Sequence, residues 1–138
     1  MRLTDNKKYR NLRAQKEKYT ARDRRESELG VDTGHTDMRG NPIMSGSIVL
    51  VYPTSHSSNT IWLSAVLWDS QAYRALRGCW YGDKVWSDPR SHGKVEQEFR
   101  GKAGARYESV LVVGQLSGKP RKDTALVEML AEELGASY

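Results

Sequence analysis

The chain is poor in the residues that most often announce chemistry: it has one cysteine, three histidines and one phenylalanine among 138 residues. Cys79 has no second thiol to pair with, which removes an internal disulfide framework and points to a reducing cytoplasm as the expected home. His35, His56 and His92 each stand alone, and none shares with another histidine or with Cys79 the close spacing of a structural zinc site, so no metal is expected. No stretch approaches the roughly 18 consecutive apolar residues of a membrane span, and the opening MRLTDNKKYR has charge without an apolar run behind it. Neither a secretory signal nor a membrane anchor is expected, and a chain of this length suits one hydrophobic core.

Charge is unevenly placed. Residues 1–30 hold ten Lys or Arg against five Asp or Glu, whereas the remainder carries twelve of each sign, so the whole formal excess of +5 lies at the N-terminal end. Asymmetry of this kind points to an acidic or polyanionic partner. Residues 5–29 contain neither Pro nor Gly, Thr4 or Asp5 is placed to cap a helix, and Gly30 is placed to end it. The expected element is therefore a basic helical arm over 1–30. Its apolar stripe is narrow, formed by Tyr9, Leu12 and Tyr19 with the stem of Lys16, so the arm is not expected to be a core element.

Residues 31–138 are expected to form one mainly β domain. The turn formers of Val31 to Gly46 lead into the β-branched run Ser47 to Tyr52, and Ile61 to Trp68 is apolar on both faces, as a central strand would be. On that strand Trp62, Ser64, Val66 and Trp68 share one face and Ile61, Leu63, Ala65 and Leu67 the other. Gly78 to Trp86 reads as two short extended pieces around a Gly-Asp turn. Lys94 to Arg100 alternates, with Val95 and Phe99 inward, and Ser109 to Leu116 is a further buried strand in which Gly114 marks a bulge. Residues 123–134 form an amphipathic helix capped by Asp123 or Thr124, with Leu126, Val127, Leu130 and Leu134 as its buried stripe. Short strands followed by one helix suggest a small antiparallel barrel or curled sheet.

Several of these pieces resemble a known family. Val31-Asp32-Thr33-Gly34, then Asp37-Met38-Arg39-Gly40-Asn41-Pro42-Ile43, then Gly46-Ser47-Ile48-Val49, are similar to the opening signature of YopX-type phage proteins, with Ser47 in the place of an acid. Val66-Leu67-Trp68-Asp69 and Val110 to Leu116 resemble two later strands of that family, so the likeness spans residues 31–120. It implies an SH3-like barrel and a phage or prophage context, and it brings no established reaction, cofactor or catalytic residue.

The candidate chemistry is sparse. Gly114-Gln115-Leu116-Ser117-Gly118-Lys119-Pro120 has the flavour of a phosphate-binding loop, but it is one residue short between its glycines and has Pro120 where a hydroxyl would hold magnesium. Cys79 with His92 and Asp83 or Asp88, or Asp69 or Glu96 with His92, contain the right groups for catalysis, yet nothing in their spacing brings them together. No catalytic, cofactor-binding or metal-ligating residue is assigned, and binding rather than catalysis is expected. The binding residues indicated are the arm cations Lys7, Lys8, Arg10, Arg13, Arg22, Arg24 and Arg25, and the aromatic segment Trp80, Tyr81, Lys84 and Trp86. Aromatics beside positive charge stack unpaired bases and are equally enriched at protein interfaces. The two partners are thus a host protein with an acidic surface, which the protein would block, and nucleic acid. The neutrality of residues 31–138 favours the first.

Overall fold

The computed structural model describes residues 20–54, 59–77 and 94–138. Within them a short helix α1 (Ala21–Glu26) precedes strands β1 (Asp32–Thr36), β2 (Pro42–Met44), β3 (Ser47–Val51), β4 (Trp62–Trp68), β5 (Tyr73–Arg77), β6 (Lys94–Phe99) and β7 (Val110–Gln115), and the chain closes with helix α2 (Pro120–Leu134). All strand pairings in the sheets are antiparallel: β1 and β2 form a two-stranded ribbon, and the other strands form a five-stranded sheet in the order β6-β5-β4-β3-β7.

The period-two alternation of β3 and β4 sorts the core into two layers. Ile48, Leu50, Leu63, Ala65 and Leu67 point to one face, where Val127, Leu130 and Ala131 of α2 cover them. Val49, Val51, Val66 and Trp68 point to the other, where Ile43 from β2, Tyr107 and Phe99 pack. Each fully buried aliphatic side chain, such as Leu63 or Val66, contributes about 1.5–3 kcal/mol. Among the described residues the sheet does not close into a barrel, one of the two forms expected beside a curled sheet, and the sequence of β4 explains why. A strand apolar on both faces needs cover on both, and an open sheet between a helix and a ribbon provides it where the single interior of a small barrel does not.

The expected strands at 47–52, 61–68, 94–100 and 109–116 are present, each trimmed by a residue or two. The register between β3 and β7 shifts around Val113, so the bulge beside Gly114 is real. Strand β5 has no counterpart in the sequence reading, because its YRALR pattern carries two arginines and no β-branched residue. Val95, expected on the same face as Phe99, is 49% exposed while Phe99 is buried. A second register shift gives β6 one extra residue opposite Ala75 and Leu76, and a single inserted residue is enough to break the alternation along a strand. In α2 the start moves to Pro120, with Lys119 as N-cap; Leu134 is exposed, and Ala131 takes its place in the buried stripe. The two extended pieces expected at Gly78 to Trp86 lie outside the described residues.

Residues 37–43 hold the turn between β1 and β2 together. Asp37 is fully buried, and its carboxylate accepts from the backbone N–H groups of Arg39 at 2.9 Å and Asn41 at 2.8 Å. Gly40 adopts φ +80°, a left-handed conformation that a side chain resists, and Ile43 is buried completely against β3.

Candidate interaction surface: the docked N-terminal helix

Helix α1 is built around one carboxylate. Thr20 is its N-cap: the Asp23 N–H donates to Thr20 Oγ1 at 3.2 Å, while the Thr20 N–H and hydroxyl donate to Asp23 Oδ2 at 2.9 and 3.1 Å. This reciprocal capping box satisfies backbone donors that a helix of six residues could not satisfy internally. The remaining oxygen, Asp23 Oδ1, accepts from the indole Nε1–H of Trp68 at 2.8 Å. Asp23 is buried in the process, and the Trp68 bond, followed by the Thr20 N–H, holds its carboxyl below the ordinary value against the opposing effect of burial.

One turn further along, Glu26 accepts from the hydroxyl of Tyr73, whose ring meets Trp68 edge-on at 5.0 Å. Burial first, then the hydrogen bond and charge of Glu26, raise the Tyr73 phenol well above its ordinary value, with Arg22 opposing. The Arg22 guanidinium lies 5.1 Å from the Trp68 ring centroid, a cation–π distance. Asp23 and Glu26 are three residues apart and so share the face turned to the sheet. Arg24 and Arg25 are exposed. Docking therefore sorts the charges of α1: carboxylates inward on two aromatic hydrogen-bond donors, the Arg22 guanidinium over one of those rings, and Arg24 and Arg25 outward. A groove of about 540 Å³ runs between α1 and the β4–β5 turn, bordered by Arg22, Asp23, Trp68 and Ser70, the last held at φ +77°.

The chain after α1 is fastened as well. Ser27 is the C-cap and the Glu28 N–H donates to Arg25 O, so the helix ends there and not at Gly30, and the Gly30 N–H donates to Ser45 O at 2.8 Å.

Of the binding residues indicated by the sequence, Arg22, Arg24 and Arg25 are brought together on this helix. Lys7, Lys8, Arg10, Arg13, Trp80, Tyr81, Lys84 and Trp86 lie outside the described residues, as do Tyr9, Leu12 and Tyr19, Cys79, His56 and His92. Asp23, Glu26 and Tyr73 were not anticipated. The signal for Asp23 was available in Thr20-x-x-Asp23, the spacing of a capping box, whereas nothing local in YRALR marks Tyr73 as a docking partner.

The other polar candidates serve the fold. Asp69 accepts from the N–H groups of Gln71 and Ala72, each at 3.0 Å, and pairs with Arg74, closing the β4–β5 turn. Glu96 pairs with Arg77, whose guanidinium lies 3.7 Å from the centroid of Trp62; Trp62 is half-buried where Trp68 is buried. In the loop before α2, the N–H groups of Ser117 and Gly118 donate to Asp123 at 2.8 and 3.0 Å, so an internal carboxylate occupies the donors that a phosphate would need. His35 is buried beside Tyr107 at 5.3 Å and Phe99 at 6.3 Å, without a hydrogen-bond partner for Nδ1 among the described residues. No helix among the described residues is long and apolar enough to cross a membrane.

Compared with known proteins, the chain matches no family model, no curated protein and no solved structure.

Proposed function

We propose that this is a non-catalytic binding protein, a phage or prophage accessory protein that engages and blocks a host protein through an acidic surface. The observation that carries the reading is the charge sorting of α1. Two of its carboxylates are consumed by Trp68 and Tyr73, while Arg24 and Arg25 face solvent at the root of a segment rich in Lys and Arg. A short helix held in this way presents cations in a fixed orientation, which favours fast, oriented encounter with an acidic surface. The resemblance of residues 31–120 to YopX-type proteins supports the phage context and a kinship with SH3-like domains. The test is capture from a bacterial lysate with nuclease present, using the wild type and a variant with Arg24→Glu and Arg25→Glu. An acidic protein retained by the first and absent from the second is the expected result. Material that disappears on nuclease treatment would instead assign nucleic acid as the partner.

A further inference from the structure

Six residues make fewer than two helical turns, and an isolated helix of that length does not persist in water. Helix α1 therefore stands on its contacts, and those with the sheet among the described residues include polar ones: Asp23 on the Trp68 indole, Glu26 on the Tyr73 hydroxyl, Arg22 over the Trp68 ring. If those contacts open, Asp23 and Glu26 return to solvent within four residues of Arg22, Arg24 and Arg25, close enough for opposite charges to offset one another in the local field. The same segment is thus a basic surface when docked and a mixed, nearly neutral one when undocked. In the docked form burial, then Glu26, raise the Tyr73 phenol, and the Trp68 bond, then those of Thr20, lower the Asp23 carboxyl.

We infer that α1 is a two-state latch, and that an acidic partner selects its docked form, so that docking on Trp68 and Tyr73 and binding of the partner stabilise one another. This rests on the reading of the basic segment as the binding surface. The coupling acts through the fraction of molecules that are docked: apparent affinity falls in proportion to that fraction, so a variant docked one tenth of the time binds about tenfold more weakly. By reciprocity the partner must also hold the latch closed.

The latch differs from simple electrostatics in the sign of one effect. Asp23→Ala removes a negative charge, so an undifferentiated basic surface would bind a polyanion more tightly. The latch requires the opposite, because the substitution removes both the capping box and the acceptor of Trp68. The probe is poly-L-glutamate, titrated at low salt into the full chain, with hydrogen exchange followed at the amides of Arg24 and Ser27, which donate to Thr20 O and Asp23 O in the docked helix. For the wild type, binding is expected to slow exchange at both amides. Asp23→Ala and Trp68→Phe, the second keeping an aromatic ring without the indole donor, are expected to speed exchange there and to weaken binding by about tenfold, while amides of β3 and β4 stay protected. Tighter binding by Asp23→Ala, or unchanged exchange in both variants, overturns the latch. Failure of the wild type to bind poly-L-glutamate at all overturns the underlying reading of the basic surface instead.

Discussion

The backbone N–H of Val112 donates to Asp37 Oδ2 at 2.9 Å across 75 residues of sequence, and the N–H of Met38 donates to Val110 O at the same distance. Both groups of β7 point away from β3, toward the side of the sheet where no further strand pairs among the described residues. A turn built on one buried carboxylate thus takes the place of a neighbouring strand and seals that edge. Open strand edges invite pairing with other chains, and natural sheets blunt them with loops, charges and bulges.

Asp37→Ala should therefore cost more than a surface substitution. It leaves the N–H groups of Val112, Arg39 and Asn41, which are partly buried, without the fully buried acceptor they share, and an unpaired buried donor costs about 1–3 kcal/mol, less where water reaches it. A loss of about 2–4 kcal/mol in urea unfolding is expected, together with concentration-dependent association as the β7 edge opens. A variant as stable and as monodisperse as the wild type would show that the turn holds its shape without the carboxylate.

Acid should unfold the protein in a definite window. Burial raises the Asp37 carboxyl, but the bonds from Val112, Asn41 and Arg39 outweigh it and leave the group below its ordinary value of 3.8; Asp23 is lowered as well. A lowered carboxyl contributes stability that is whole above the unfolded value and is lost as pH falls through the folded one. Urea midpoints should accordingly be insensitive to these two groups at neutral pH and decline only below about pH 4. Tyr73 acts in the opposite direction: its raised phenol contributes below 10.0 and loses that contribution as pH climbs past it, loosening α1 in alkali. A midpoint that falls steadily from pH 7 to pH 5 would contradict the acid half of this expectation, and the Asp37→Ala variant should show a flatter acid limb than the wild type.

Much of the fold was legible because β3, β4 and β7 carry strong patterns: β-branched runs apolar on both faces have few alternatives to a central position. The face assignments along β4 hold for its core residues, with Trp68 and Val66 opposite Leu67, Ala65 and Leu63. What escaped the sequence depends on single residues and on long-range partners. The extra residue in β6 that exposes Val95 leaves no mark in the alternation KVEQEF, and β5 is recognisable only by its pairing with β4 and β6. The candidate site divides in the same way. Arg22, Arg24 and Arg25 could be read as cations of a basic segment, yet their presentation depends on Trp68 and Tyr73, more than forty residues later.

Two truncations should separate the arm from the latch. Removal of residues 1–19 keeps Thr20 and its capping box, and should leave the melting temperature nearly unchanged. Removal of residues 1–29 strips Asp23 and Glu26 from Trp68 and Tyr73 and takes Leu29 away from Gly46 and Gly118, where its methyl groups crowd the space a Cβ would fill. A drop of at least about 4 °C relative to the shorter truncation is expected in calorimetry. Equal melting temperatures would mean that α1 adds nothing to the stability of the sheet.

The final prediction concerns the arginines themselves. Arg10, Arg13, Arg22, Arg24 and Arg25 all lie in the segment that carries the whole +5 excess, so replacing them with Ala should remove most of the steering toward an acidic partner. Against a protein surface the effect should appear chiefly as slower association with a weaker dependence on salt, while the dissociation rate changes less, because rim charges act on encounter more than on the formed complex. Nucleic acid should bind the wild type only weakly even at low salt, since the remaining 108 residues carry equal numbers of each charge. If nucleic acid were the true partner, the same substitutions would weaken binding to every sequence alike and flatten log affinity against log salt by roughly 0.7 to 0.9 for each phosphate no longer neutralised. Stopped-flow association and salt titration with each partner class distinguish the two. An all-alanine variant that keeps the wild-type association rate and salt dependence would remove the basic segment from the interface and turn attention to Trp80, Tyr81, Lys84 and Trp86.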